Sequence, residues 1–115
     1  MDTKKYKLPN PELEAEIYYL TVEEGGRKSC VCSGYRGQFY YDGINYDAGQ
    51  EFIDKEYCNT GEIVKVYLQT LSPNNHIGKF YIGKEFEIRE GNKTVGKGKI
   101  TKIICSNFGN KYKKD

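Results

Sequence analysis

From Glu85 to Arg89 the chain alternates strictly, Phe86 and Ile88 against Glu85, Glu87 and Arg89, and the run ends in Glu90-Gly91-Asn92-Lys93. A repeat of two residues marks a strand with one dry face and one wet face. Gly and Asn are the residues that most readily take positive φ, so the centre predicts a hairpin turn. Gly96 and Gly98 interrupt the return strand, which continues to Ile104. Glycines are expected where a barrel strand bends or another backbone comes close. No segment shows a helical apolar stripe and no internal repeat is visible, so the chain is confined to strands and turns.

The rest of the sequence reads in the same way. Residues 1–13 form a polar, flexible arm ending near Pro9-Asn10-Pro11, where proline forbids a helix and removes strand donors. Glu14 to Val22 predicts a first strand with Ala15, Ile17 and Tyr19 on one face and Glu14, Glu16 and Tyr18 on the other. Glu23 to Lys28 is a glycine turn, and Gly34 and Gly37 predict a bent start to a second strand running to Tyr41. Asp42 to Gly61 supports only short strands and loops. Ile63 to Leu71 is a strand closed by Ser72-Pro73-Asn74-Asn75, and Gly78 to Gly83 is a brief strand at most. Residues 14–105 form the domain, and 106–115 a polar, frayed tail. Six or seven strands make a small antiparallel barrel or sandwich, and an aromatic content of 14%, with eleven Tyr and no Trp, suits half-buried strand faces.

Charge is uneven. Residues 1–78 hold 8 Lys/Arg against 12 Asp/Glu, and residues 79–115 hold 10 against 4. Lys93, Lys97, Lys99 and Lys102 share the return strand with a single acid at the turn, Glu90, which predicts a strongly positive hairpin edge. Such an edge suits phosphate, or is a solvated edge that resists strand pairing. Cys30, Cys32, Cys58 and Cys105 form no Cys-x-x-Cys, and the one His, His76, is far from the Cys30/Cys32 pair in sequence, so no metal site and no cofactor are expected. The N-terminus lacks an apolar signal core and no run reaches membrane-span length, which points to a cytoplasmic chain without a membrane partner. Met1 before a polar arm reads as a natural start, a fragment of a longer protein being the alternative. An enzyme is disfavoured: there is one His, no recognisable nucleophile motif and no paired carboxylates, and the cysteines read as idle thiols.

Four motifs, Glu14-Ala-Glu-Ile-Tyr, Glu23-Glu-Gly-Gly-Arg27, Gly34-Tyr-Arg-Gly-Gln-Phe-Tyr40 and Arg89-Glu-Gly-Asn-Lys-Thr-Val-Gly-Lys-Gly98, occur in an order that closely resembles the C-terminal β-barrel domain, domain III, of bacterial elongation factor Tu. The resemblance covers Glu14 to Ile104 and implies an all-β, small antiparallel closed barrel of about six strands. It also implies a non-catalytic domain that meets the T stem of aminoacyl-tRNA, the nucleotide exchange factor and a GTPase domain. The P-loop of that GTPase domain is missing. Gly25-Gly-Arg-Lys-Ser29 lacks the spacing that wraps a phosphate, so no nucleotide is expected.

By the resemblance, Gln38 and Glu90 hold positions near the tRNA backbone, and Gln38 also lies near the GTPase seam. Gly37, Asn92 and Lys93 stand where the family has Pro, Gly and Arg. Glu85 and Glu87 replace an Arg and a small residue of the seam, and Lys97 and Lys99 replace small and apolar residues. Burying an unpaired carboxylate at Glu87 would cost several kcal/mol, which argues against docking a GTPase domain in the family's manner.

The leading expectation is a free-standing binding module that mimics the factor's barrel towards a protein of the translation machinery, an exchange factor or a toxin that recognises it. The alternative is structured RNA such as the tRNA T stem. The candidate contacts are Arg36, Gln38, Glu90, Lys93, Lys97 and Lys99. Each has a plainer reading: Arg36 as an internal ion pair, the lysines as solvated charge, and Gln38 as a partner for a backbone group.

Overall fold

The computed structural model describes residues 8–110. Its strands, in chain order, are β1 (Leu13–Tyr19), β2 (Val31–Cys32), β3 (Arg36–Tyr41), β4 (Ile44–Phe52), β5 (Tyr57–Cys58), β6 (Ile63–Thr70), β7 (Glu85–Glu90) and β8 (Lys93–Ile103). Six of these close into an antiparallel barrel in the order β1-β6-β4-β3-β7-β8, with β8 pairing back onto β1. The remaining two, β2 and β5, form a separate ribbon. Of the barrel and the sandwich that composition allowed, the chain adopts the closed barrel.

Alternation decides what fills it. Leu13, Ala15, Ile17 and Tyr19 of β1 point inward with Val64, Val66 and Leu68 of β6, Phe39 and Tyr41 of β3, and Phe86 and Ile88 of β7. Each such large side chain contributes ~1.5–3 kcal/mol on burial, well above the 0–1 kcal/mol typical of an exposed ion pair. The interior therefore holds the barrel together, and the outer charges are free to serve another purpose. Gly98 on β8 meets one of the conditions expected of a strand glycine, the close approach of another backbone. A Cβ there would lie 2.5 Å from Phe86 Cζ and 2.8 Å from the Glu16 carbonyl oxygen.

The stretch 42–61 departs from expectation, since it contains the nine-residue β4. Asp42 and Gly43 sit at φ of +51° and +80°, the two-residue turn geometry whose twist matches a hairpin, and they join β3 directly to β4. Ala48 to Phe52 are buried on successive residues. Gln50 lies inside, where its Oε1 accepts a hydrogen bond from the Tyr19 hydroxyl at 2.7 Å, while Leu8 covers Gly49 and donates its N–H to Glu51 at 3.2 Å. With both faces covered, β4 shows no alternation.

The ends of the domain also differ from their polar composition. Glu12 is buried and accepts hydrogen bonds from the Thr70 N–H and hydroxyl, both at 2.8 Å. Ser106–Phe108, read as the start of a polar tail, forms a 3-10 turn that seats Phe108, 1% exposed, against the rings of Phe80 and His76. Phe108 and the backbone hydrogen bonds from Gly78 to Asn107, from Phe80 to Phe108 and from Asn110 to Phe80 anchor this Asn- and Gly-rich run. Phe80, from the brief strand anticipated at 78–83, makes one parallel bridge to Gly109. Residues 1–7 of the arm and 111–115 of the tail lie outside the described residues.

Candidate partner-binding face

The sequence-predicted residues fall into two groups on the outer surface. Pairing of Gln38 with Arg89 and of Glu90 with Lys93 gathers Gln38, Glu90 and Lys93 at the β7–β8 turn, with Arg36 two residues further along β3. Glu85, Glu87, Lys97 and Lys99 lie lower, on the walls of a groove of about 550 Å³ that also takes in Tyr18, Tyr40 and Ile63.

At the turn end, Glu90 is already engaged. Its carboxylate accepts the Tyr35 hydroxyl at 2.5 Å and a guanidinium N–H of Arg27. Burial pushes the Glu90 carboxyl up, but the bonds from Tyr35 and Arg27, with Lys93 beside them, outweigh it and hold the group below the usual carboxylate range. Burial and Glu90 together push the Tyr35 phenol up, so it stays a donor. Arg27 stacks 5.3 Å from the Tyr35 ring centroid and also donates to the Ser29 and Cys30 carbonyls. Arg27 and Tyr35 are the residues that motif reasoning missed, although both stand inside the quoted motifs. Their link to Glu90 spans 63 and 55 positions and cannot be read locally.

Around that cluster, Arg36 and the Gln38 side-chain oxygen have no partner among the described residues, and Lys93 is open to solvent beside Glu90. Arg36 is exposed and forms no ion pair with any described residue. Lys93 is exposed. The Gln38 side-chain oxygen is buried and receives no hydrogen bond from any described residue, so it satisfies no barrel-closing backbone group.

The groove overturns the expectation of a positive hairpin edge. Because the barrel is closed, β8 has no free edge, and its neighbours β1 and β7 carry acids. One row across the strands reads Ile63, Tyr18, Lys97, Glu87, Tyr40, and the next reads Lys65, Glu16, Lys99, Glu85. Lys102 stands opposite Glu14. Of the lysines counted as surplus charge, Lys97, Lys99 and Lys102 thus face glutamates of β1 and β7, and Lys93 faces Glu90 across the turn.

Glu87 is likewise not the unpaired carboxylate that its replacement of a small residue suggested. It accepts from Arg89 Nε and Thr94 Oγ1, each at 2.9 Å, and Arg89 lies 3.6 Å above the Tyr40 ring centroid. Burial raises its carboxyl, but Thr94, Arg89 and Lys97 together hold it down. Asp42, at the groove's far end, is bonded by Lys84 at 2.9 Å. Glu16, Glu85, Lys97 and Lys99 make no direct ion pair with described residues, and Ile63 is 58% exposed.

This surface can grip a partner through aromatic and apolar contact framed by charges of both signs. It holds no grouping of three His, Cys, Asp or Glu suited to a metal ion among the described residues, and no described helix is long and apolar enough to cross a membrane. The family model for the elongation factor Tu C-terminal domain matches residues 8–104.

Proposed function

The chain belongs to the elongation factor Tu C-terminal domain family, and on that premise we propose that it is a non-catalytic, cytoplasmic binding module that presents this barrel to a protein of the translation machinery. An exchange factor, or a toxin that recognises the factor's barrel, is the class of partner intended. The observation that carries the reading is the interleaving of Lys97 and Lys99 with Glu16, Glu85 and Glu87 around half-buried Tyr18 and Tyr40 and exposed Ile63. Alternating charge over a half-apolar groove suits a protein surface, whose own side chains carry both signs. A polyanion would meet a carboxylate beside nearly every lysine.

Competition tests it. The full chain, added to a complex of elongation factor Tu with its nucleotide exchange factor, is expected to displace the full-length factor. The Lys97→Glu/Lys99→Glu variant is expected to lose that ability by about tenfold or more, since like charges placed against a partner cost over 1.4 kcal/mol. No displacement at any concentration, or displacement indifferent to the reversal, overturns the reading.

The turn end, where Arg36 and Lys93 are exposed and the Gln38 oxygen has no partner among the described residues, favours a second reading, structured RNA such as the tRNA T stem. Arg36 and Lys93 would neutralise phosphates, and the Gln38 side chain, whose oxygen is buried without a partner among the described residues, would turn outward to meet a 2′-hydroxyl. A salt titration of tRNA binding separates the two. Affinity falling steeply with salt supports RNA, and no binding at low salt removes it.

A further inference from the structure

Four strands that stand side by side in the barrel, β1, β8, β7 and β3, carry Tyr18, Lys97, Glu87 and Tyr40 in one row, and the first three carry Glu16, Lys99 and Glu85 in the next. The first row has an aromatic ring at each end and a cation and an anion between them. Reversing its direction exchanges ring for ring and puts each charge in the place of its opposite. Lys99 and Glu85 in the second row behave in the same way. A surface patterned like this is complementary to itself. The geometry points to a second copy of this chain as an occupant of the groove, docked face to face about a two-fold axis that runs along the β7–β8 seam.

Such an axis carries β8 of one copy over β7 of the other. Lys97 then meets the partner's Glu87, Lys99 meets the partner's Glu85, Tyr18 meets the partner's Tyr40, and symmetry makes each contact twice. Charges of both signs are free for this. Side chains opposite each other on paired strands stand about 5 Å apart at Cβ, yet Lys97, Lys99 and Glu85 are exposed and make no direct ion pair with any described residue. Both rings are held in place beforehand, Tyr18 by its 2.7 Å bond to Glu24 and Tyr40 by Arg89 at 3.6 Å, so little ordering is left to be done on docking. One like-charge meeting remains, Glu16 with the partner's Asp42. Lys84 bonds Asp42 at 2.9 Å within each copy, so this meeting adds little repulsion. A face four strands wide is at the small end of specific interfaces, which sets the association between micromolar and millimolar chain. Each copy covers the groove of the other, so growth stops at two.

Sedimentation velocity of the full chain alone, from micromolar to millimolar concentration, tests the contact. No other protein is present, so a negative result leaves the partner-binding reading intact. A monomer–dimer equilibrium is expected. Lys99→Glu and Glu85→Lys each set like charges against one another twice per dimer, and each should weaken it on the order of 100-fold. Both positions are exposed, and circular dichroism verifies that the variants fold. The decisive sample is an equimolar mixture of the two variants, one of them fluorescently labelled. Positions 85 and 99 are both acidic in the first variant and both basic in the second, so opposite charges meet at both contacts and dimerisation should return to wild-type strength. A wild type that stays monomeric throughout, a mixture no more associated than either variant alone, or assembly beyond two copies overturns the proposal.

Discussion

His76 offers a measurable link between pH and stability. It ends the 3-10 turn Pro73–His76, is 0% exposed, and pairs through Nδ1 with the Tyr41 hydroxyl. The rings of Tyr46, Phe108, Phe39 and Phe80 surround it at centroid distances of 4.4 to 6.1 Å, and its Nε2 has no partner among the described residues. Burial, with Lys79 adding to it, pushes the imidazole from 6.5 down to about 4. The fold therefore prefers the neutral ring, and the unfolded chain takes up the proton first as pH drops. The stabilisation is complete above pH 6.5 and is lost as pH falls to about 4. At 1.36 kcal/mol per unit the loss is ~3 kcal/mol, a large share of the 5–15 kcal/mol typical of a domain. The comparison variant is His76→Phe/Tyr41→Phe, which removes both hydrogen-bond partners together and leaves an aromatic in the same cage. Urea unfolding of both proteins from pH 8 to pH 4 reads the effect. The carboxylates held low, Glu24, Glu87 and Glu90, also lose their contribution on acidification, but equally in both proteins, so they cancel in the difference. The wild type should lose about 3 kcal/mol more than the double variant over this window, at unchanged m-value. Parallel curves for the two proteins would refute the assignment of the buried imidazole as the acid-sensitive group.

Other perturbations are equally direct. Glu90→Gln leaves Arg27 and Tyr35 without their shared carboxylate, and urea unfolding should show a loss of about 1 kcal/mol, reduced from the usual value for a charged hydrogen bond by the partial exposure of the group. Gly98→Ala drives a Cβ into Phe86 and the β1 backbone, and a destabilisation of about 1–3 kcal/mol should appear as a lower Tm; an unchanged Tm would remove the steric account. Arg89→Lys gives up the flat stack on Tyr40 and the forked contact with Glu87, and should cost about 1 kcal/mol by the same unfolding assay.

What could be read from the chain depended on whether the signal was local. The strands β1 and β7 are legible because each buries one face only, so Ala15, Ile17 and Tyr19, or Phe86 and Ile88, stand out against their polar neighbours. The strand β4 is not, because Leu8 covers its outer face and the Asp42-Gly43 dipeptide, a strong hairpin signal between aromatic runs, reads equally well as loop punctuation. Phe108 was hidden by its surroundings in sequence. The candidate site shows the same limit. Counting lysines along Lys93–Lys102 gives an excess of positive charge, yet Glu16 lies more than eighty residues away in the chain and directly beside Lys99 in the sheet. Only topology brings the two together. The same applies to Arg27 and Tyr35 on Glu90, where the motifs were visible and their meeting was not.

The return of β8 onto β1 joins residues 13–19 to residues 96–103. A chain emerging from the ribosome can form the β3–β4 hairpin early, but it cannot seal the barrel until β8 is out. Until then β1 and β7 both present open strand edges, the geometry most prone to pairing with a neighbouring nascent chain. A protein cut before Lys93 would keep most of its core residues and still be exposed in this way. Its last strand acts as a lock on solubility, so truncation there should send the product into aggregates rather than yield a smaller folded domain.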